Sequence, residues 1–154
     1  MKTRTIALTM MLCFAAAVVC LASDVNMGTW KLNEAKSKLA PGATKSQKVV
    51  YEAVGDQMKV TIEGTTADGK SLHIEWTGKF DGKFYPLTGD PNNDERSYKK
   101  IDARTLEGTS KKAGKVTSNT RIVVAADGKS RTVTSSGTNA KGAKVTTVAV
   151  YDKE

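Results

Sequence analysis

The sequence predicts an all-β fold, a single antiparallel up-and-down β-barrel of about 8–10 strands. Three observations carry that expectation. Turn signals recur at short, steady intervals, the runs between them alternate apolar with polar residues, and no segment has the length and period of a crossover helix.

The first run is "GTWKLN", Gly28 to Asn33, in which Trp30 and Leu32 share a face opposite Thr29 and Lys31. After it comes the one irregular stretch, Asn33 to Gln47, with room for a short helical turn after Asn33 before Pro41-Gly42 stops it. It is long enough to fold over one barrel mouth. Beyond it the turn signals are Gly55-Asp56, Asp68-Gly69, Asp81-Gly82, Asp90 to Asp94, Asp102-Ala103, Ala113-Gly114, Asp127-Gly128 and Lys141-Gly142. Asp-Gly between alternating runs marks tight hairpins, because the central residues of such turns need positive φ. The strands these signals bound fall near 28–33, 47–54, 57–66, 70–80, 83–88, 95–101, 104–111, 115–125, 129–138 and 143–152. Met58, Val60 and Ile62 oppose Lys59, Thr61 and Glu63; Leu72, Ile74 and Trp76 oppose His73, Glu75 and Thr77; Thr120, Ile122 and Val124 share a face. The final run, "AKVTTVAVYDK", mixes Thr and Val on both sides and assigns no inside. Closure into a barrel removes both sheet edges, and a two-sheet sandwich is the alternative fold.

The amino terminus sets the expected compartment. Lys2 and Arg4, an apolar run from Ile6 to Leu21 and the small-x-small triplet Cys20-Leu21-Ala22 predict a signal peptide over 1–22, with the barrel domain spanning 23–154. The chain is then expected to be periplasmic or secreted, touching membrane only through that segment before cleavage. The run falls short of the ~20 residues of a spanning helix, which argues against a retained anchor. Lipidation of Cys20 is disfavoured by Val19 before it. Both cysteines, Cys13 and Cys20, lie in the segment removed, so the mature domain has no disulfide and no thiol chemistry. The formal charge of +8, less the two charges of Lys2 and Arg4, leaves +6. Most lysines stand in or beside turns, where they keep strand edges from associating.

Several motifs resemble sites of chemistry without completing them. His73 is the only histidine and falls on the polar face, so neither an ordinary zinc site nor a histidine triad is expected, and no metal or cofactor is implied. "GTSKKAGK", Gly108 to Lys115, has five residues between its glycines where a phosphate loop has four, and Val116 follows it. "DPNNDE", Asp90 to Glu95, lacks the glycine and the bidentate glutamate of a calcium loop. Glu52, Glu63 and Glu75 alternate with apolar residues and face water, which leaves no acid pair for hydrolysis. The chain is basic, but its few aromatics are not interleaved with Lys and Arg as a nucleic-acid surface requires. No enzyme activity and no nucleic-acid partner are expected.

"GTWKLN" in a first strand, the extended segment after it, the Asp-Gly hairpins and the closing "VAVYDK" resemble the calycin superfamily. Lipocalins open on Gly-x-Trp, and intracellular fatty-acid-binding proteins open on Gly-Thr-Trp-Lys and close on Tyr-Glu-Lys. The stretch "HIEWTGKFDGKFYPLTGDPNND" is similar to secreted bacterial lipocalin-like proteins of unassigned function. The resemblance implies that Gly28 lets the strand begin close to its neighbours and that Trp30 lies across the closed end. It also exposes two departures. The last strand has no arginine to cover the tryptophan, for which Arg121 or Arg131 are the stand-ins, and Ala149 occupies the place of the arginine that clamps a fatty-acid carboxylate.

The expected function is binding or shielding of a small hydrophobic or amphipathic ligand inside the barrel. Tyr51, Val60, Ile62, Ile74, Trp76, Tyr98, Ile122 and Val124 are the candidate lining residues, and packing of the core is the competing role for each. The alternative is an envelope structural or interaction protein with a packed barrel and basic turns.

Overall fold

The computed structural model describes residues 24–138 and 142–154. The predicted signal segment over 1–22 lies outside the described residues, as does Lys141 of the last turn signal.

Ten strands follow one another in chain order: β1 (Gly28–Leu32), β2 (Lys45–Val54), β3 (Gln57–Thr65), β4 (Ser71–Gly78), β5 (Asp81–Thr88), β6 (Glu95–Lys100), β7 (Thr105–Lys112), β8 (Lys115–Val124), β9 (Ser130–Thr138) and β10 (Lys144–Lys153). Each pairs antiparallel with the next, and β1 pairs with β10 through Trp30↔Lys153, Lys31↔Asp152 and Leu32↔Tyr151. The sheet is therefore a closed barrel, and the sandwich alternative falls away. Closure satisfies the edge hydrogen bonds that a 10-strand meander would otherwise present to solvent.

Local chemistry explains the corners. At the β7–β8 hairpin both Ala113 (φ 48°) and Gly114 (φ 77°) adopt positive φ, the requirement of a tight turn between right-twisted strands. Asp81-Gly82 differs from its expected role. It lies inside β5, where the register shifts between Asp81 and Phe84, so the positive φ of Gly82 serves a bulge rather than a turn. Asp81 Oδ1 accepts from the Lys83 amide at 2.9 Å and Oδ2 from the Tyr85 hydroxyl at 2.9 Å, which fixes that bulge.

The irregular stretch contains one turn of 3₁₀ helix, Glu34–Lys36, capped by the Asn33 side chain. The chain then rejoins the barrel wall where Lys38 exchanges backbone hydrogen bonds with Val148 at 2.7 and 2.9 Å. It crosses to β2 through Pro41-Gly42, along one rim of the barrel.

This topology gives the barrel two unlike ends. The base carries the β2–β3, β4–β5, β6–β7 and β8–β9 turns together with Asp24 and Glu154, the first and last described residues. The mouth carries the 33–44 segment and the β3–β4, β5–β6, β7–β8 and β9–β10 connections. At the base, Trp30 is fully buried and its Nε1 donates to the Asn26 carbonyl at 2.7 Å. Trp76 stacks on Phe80 at 6.3 Å and meets Tyr98 and Tyr85 edge-on at 4.9 and 5.8 Å. Its Nε1 donates to the Arg96 carbonyl at 2.9 Å, spanning from β4 to β6 where the β4–β5 ladder is short. Such aromatic geometry supplies both area and direction to the base packing.

Candidate functional site

Above the packed base the barrel encloses a cavity of about 220 Å³ that opens toward the mouth. Strand alternation decides what lines it, since residues two apart on a strand share the inner face. Five of the eight candidate residues stand on its wall: Tyr51, Ile62, Ile74, Tyr98 and Ile122. Val60, Trp76 and Val124 are buried lower down, in the base, and do not line it. The β10 strand, whose inside the sequence left open, turns Ala149 and Tyr151 inward.

The cavity floor holds the residue that sequence reasoning placed only by conjecture. Arg131 on β9 is 2% exposed, and its guanidinium lies over the rings of Trp30, Tyr51 and Tyr151 at 4.7, 4.9 and 5.0 Å. It thus covers the tryptophan from β9, the strand beside the last one. Arg121 is exposed instead, with Nη1 bonded to Glu107 at 2.6 Å. Arg131 also stands directly opposite Tyr151 in the β9–β10 register, one strand away from Ala149, which pairs with Val133. A cation therefore occupies the region where β10 itself offers only alanine.

A second arginine lines the wall. Arg96 on β6 donates through Nε to Ser110 Oγ at 3.0 Å, through Nη1 to the Tyr98 hydroxyl at 3.5 Å and through Nη2 to Asp90 Oδ2 at 3.5 Å. Asp90 belongs to the mouth loop that the sequence marks only as a polar turn. Its buried carboxylate also accepts from the Asn92 amide at 2.8 Å and from Asn93 Nδ2 at 2.7 Å, while Thr117 donates to Asn93 Oδ1.

Burial pushes the Tyr51 hydroxyl pKa upward, and the charge of Arg131, acting in the other direction, does not offset it. Tyr51 stays a phenol at every ordinary pH and keeps its proton to donate. Burial raises Tyr151 as well, against the pull of Arg131, and its hydroxyl donates to the Ser46 carbonyl at 2.9 Å. Toward the mouth the lining becomes hydroxylic: Ser46, Thr120 and Ser135 stand there, with Thr120 and Ser135 hydrogen-bonded at 3.0 Å.

The histidine and the glutamates set aside for chemistry lie on the outside. His73 is exposed, 3.7 Å from Glu75, and Glu63 and Glu75 face Lys48 and Lys59. Among the described residues no group of three His, Cys, Asp or Glu side chains is placed to hold a metal ion.

The Schistosoma mansoni fatty acid binding protein in complex with arachidonic acid has the same fold. It is similar to this chain with a TM-score of 0.54 and 22% identity, over 84% of this chain and 96% of that one. A redesigned β-barrel, mFAP1, bound to DFHBI, gives a TM-score of 0.46 and 15% identity, over 84% and 95%. No protein-family model matches the chain, and comparison with curated protein sequences likewise finds no match. The architecture is thus a closed ten-stranded barrel with the fold of that fatty acid binding protein.

Sequence reasoning missed Arg131 and Arg96 as lining residues. Arg96 carries a signal, the parity of the candidate lining residue Tyr98, whereas Arg131 shares its parity only with Val133 and Ser135 in a run whose two faces look alike.

Proposed function

We propose that this chain is an exported, non-catalytic, lipocalin-like carrier whose barrel holds a small amphipathic ligand. The observation that carries the proposal is the sided cavity itself: Ile62, Ile74 and Ile122 give it an apolar wall, and arginine, tyrosine and hydroxyl groups give it polar ends. Concave sites of that mixed kind bury an apolar body and orient it through a few polar contacts. The arachidonic acid complex of the similar barrel supports an interior occupant of this general kind.

Titration with 2-naphthol, a small neutral fluorophore, tests it. Saturable binding that the mouth-filling variant Ser135→Phe abolishes is the expected result. An absence of binding, together with salt-sensitive retention on anionic envelope polymer, would favour the alternative of a structural envelope protein with basic turns. Export is tested separately by the intact mass of the protein from its native cell: a chain beginning near Ser23 supports it, and one beginning at Met1 refutes it.

A further inference from the structure

Three voids adjoin in the mouth half of the barrel. The inner cavity of about 220 Å³, a side void of about 180 Å³ beside Leu39 and an outer chamber of about 750 Å³ all have Thr44 and Ser135 in their walls. The outer chamber differs from the inner one in its chemistry. Its lining has no aromatic ring, and among the described residues its one charged side chain is Asp68, which pairs with Lys70 at 2.8 Å and accepts from the Thr66 hydroxyl. Hydroxyl and amide groups stand where the inner cavity has rings. Thr44 from the 33–44 segment, Asn92 from the β5–β6 loop, Ser118 on β8 and Thr147 on β10 come from four separate segments to one chamber, and among the described residues their side chains have no hydrogen-bond partner.

Resting on the interior-binding reading above, we infer that the outer chamber receives a neutral polyhydroxylated group, a sugar ring, carried by a ligand whose apolar body sits in the inner cavity. Charge selects a neutral head. An anionic one would meet Asp68 and no cation in that lining, and a cationic one would have to displace Lys70 from its partner. Hydrogen bonding selects a polyol. An alkyl or aryl group there would strip water from Thr44, Asn92, Ser118 and Thr147 and return nothing, whereas sugar hydroxyls both donate and accept at each. Ala43, Pro91 and Val145 supply apolar patches between them, against which the C–H face of a pyranose can lie. Affinity demands the apolar body. Each neutral hydrogen bond replaces one to water, and no ring stands in the chamber to stack on the sugar, so the sugar alone binds weakly. Burial of an apolar group against Ile62, Ile74 and Ile122 supplies what the head lacks. The ligand class is therefore an amphipathic glycoside.

The experiment compares three probes that share a naphthyl body and differ in the head: 2-naphthyl β-D-glucoside, 2-cyclohexyloxynaphthalene, which keeps a six-membered ring without hydroxyls, and 2-naphthyl phosphate. Each is titrated by calorimetry into the purified protein at neutral pH. The glucoside should bind at least about tenfold tighter than the cyclohexyl ether, the return of two or three neutral hydrogen bonds, although the ether is the more apolar of the two. The phosphate should bind no tighter than the glucoside. In the double variant Ser118→Ala, Thr147→Val the glucoside and the ether should come within about twofold of one another, because the shape of the wall remains and two hydroxyls do not. Should that variant fail to fold, the glucoside-to-ether ratio of the wild type decides alone. An ether as tight as the glucoside would overturn recognition of a polyol, and a tighter phosphate would overturn the neutral head. Binding of 2-naphthol with no binding of the glucoside would overturn the inference while leaving the interior-binding reading intact; no binding of any probe overturns both.

Discussion

The two halves of this barrel are built from different materials. Around the base, Trp30, Trp76, Leu106, Val60 and Val124 have almost no exposure, and rings interlock at 4.9–6.3 Å. Around the mouth the inward positions of β8 and β9 are Ser118, Thr120, Val133 and Ser135, small or hydroxylic side chains that leave space between the walls. One continuous hydrogen-bonded sheet joins both, so the difference lies in the side chains and not in the ladder. The lesson is a division of labour. Burial at the base holds the fold closed, and the mouth half is free to spend its inner surface on polar contacts that contribute little to stability.

That contrast predicts an order of mutational effects. Trp30→Ala empties the most completely buried large site of the base and should lower stability by about 3–5 kcal/mol in denaturant unfolding. An unchanged midpoint would dissolve the distinction between the halves. Gly89, at the mouth end of β5, sharpens it from the opposite side. It has φ +81°, and a Cβ built there would sit 1.8 Å from the His73 carbonyl oxygen. Gly89→Ala should therefore cost at least about 1–3 kcal/mol through backbone strain, although it touches no packed core. Side chains of the mouth should behave differently: Ser135→Ala removes one hydroxyl partner of Thr120 and should cost no more than about 1 kcal/mol. A loss as large as that of Trp30→Ala would mean the mouth is as tightly packed as the base.

The same contrast explains how far the sequence could be read. Strand count, hairpin order and closure were legible because Asp-Gly turns and clean alternation in "QMKVTIE" and "SLHIEWT" each obey a single local rule. Reading failed where local rules compete. Gly82 satisfies a turn and a bulge equally well, and only the β5–β6 register decides between them. The arginines were harder, because a charged residue at an inward position breaks the pattern from which inwardness is inferred. In "SRTVTSSGT" both faces carry hydroxyls, so parity cannot say which side is buried; the pairing of Arg131 with Tyr151 and its seat over Trp30 do. Asp90 was hidden for a similar reason, since a polar loop residue gives no sign that its carboxylate turns inward to Arg96.

The smallest expected effect concerns the seal on the base. Asp24 lies just before β1, accepts from the Asn26 amide and side chain at 3.0 and 2.8 Å and pairs with Lys100 Nζ at 2.6 Å. Burial alone would raise its carboxyl pKa, but Lys100 and Asn26 together outweigh burial and hold it below the usual 3.8. A pKa depressed in the folded state stabilises the fold above the unfolded value, and that stabilisation fades as pH falls through the folded value. The base seal should therefore weaken only below about pH 4, and by no more than the ~0.2–1 kcal/mol of a partly exposed ion pair. Asp24→Asn should lower stability slightly at pH 7 and converge with the wild type near pH 2. Equal stability of the two proteins at every pH would show that the tie between Asp24 and Lys100 adds nothing to the closed end, whose strength would then rest on Trp30 and its neighbours alone.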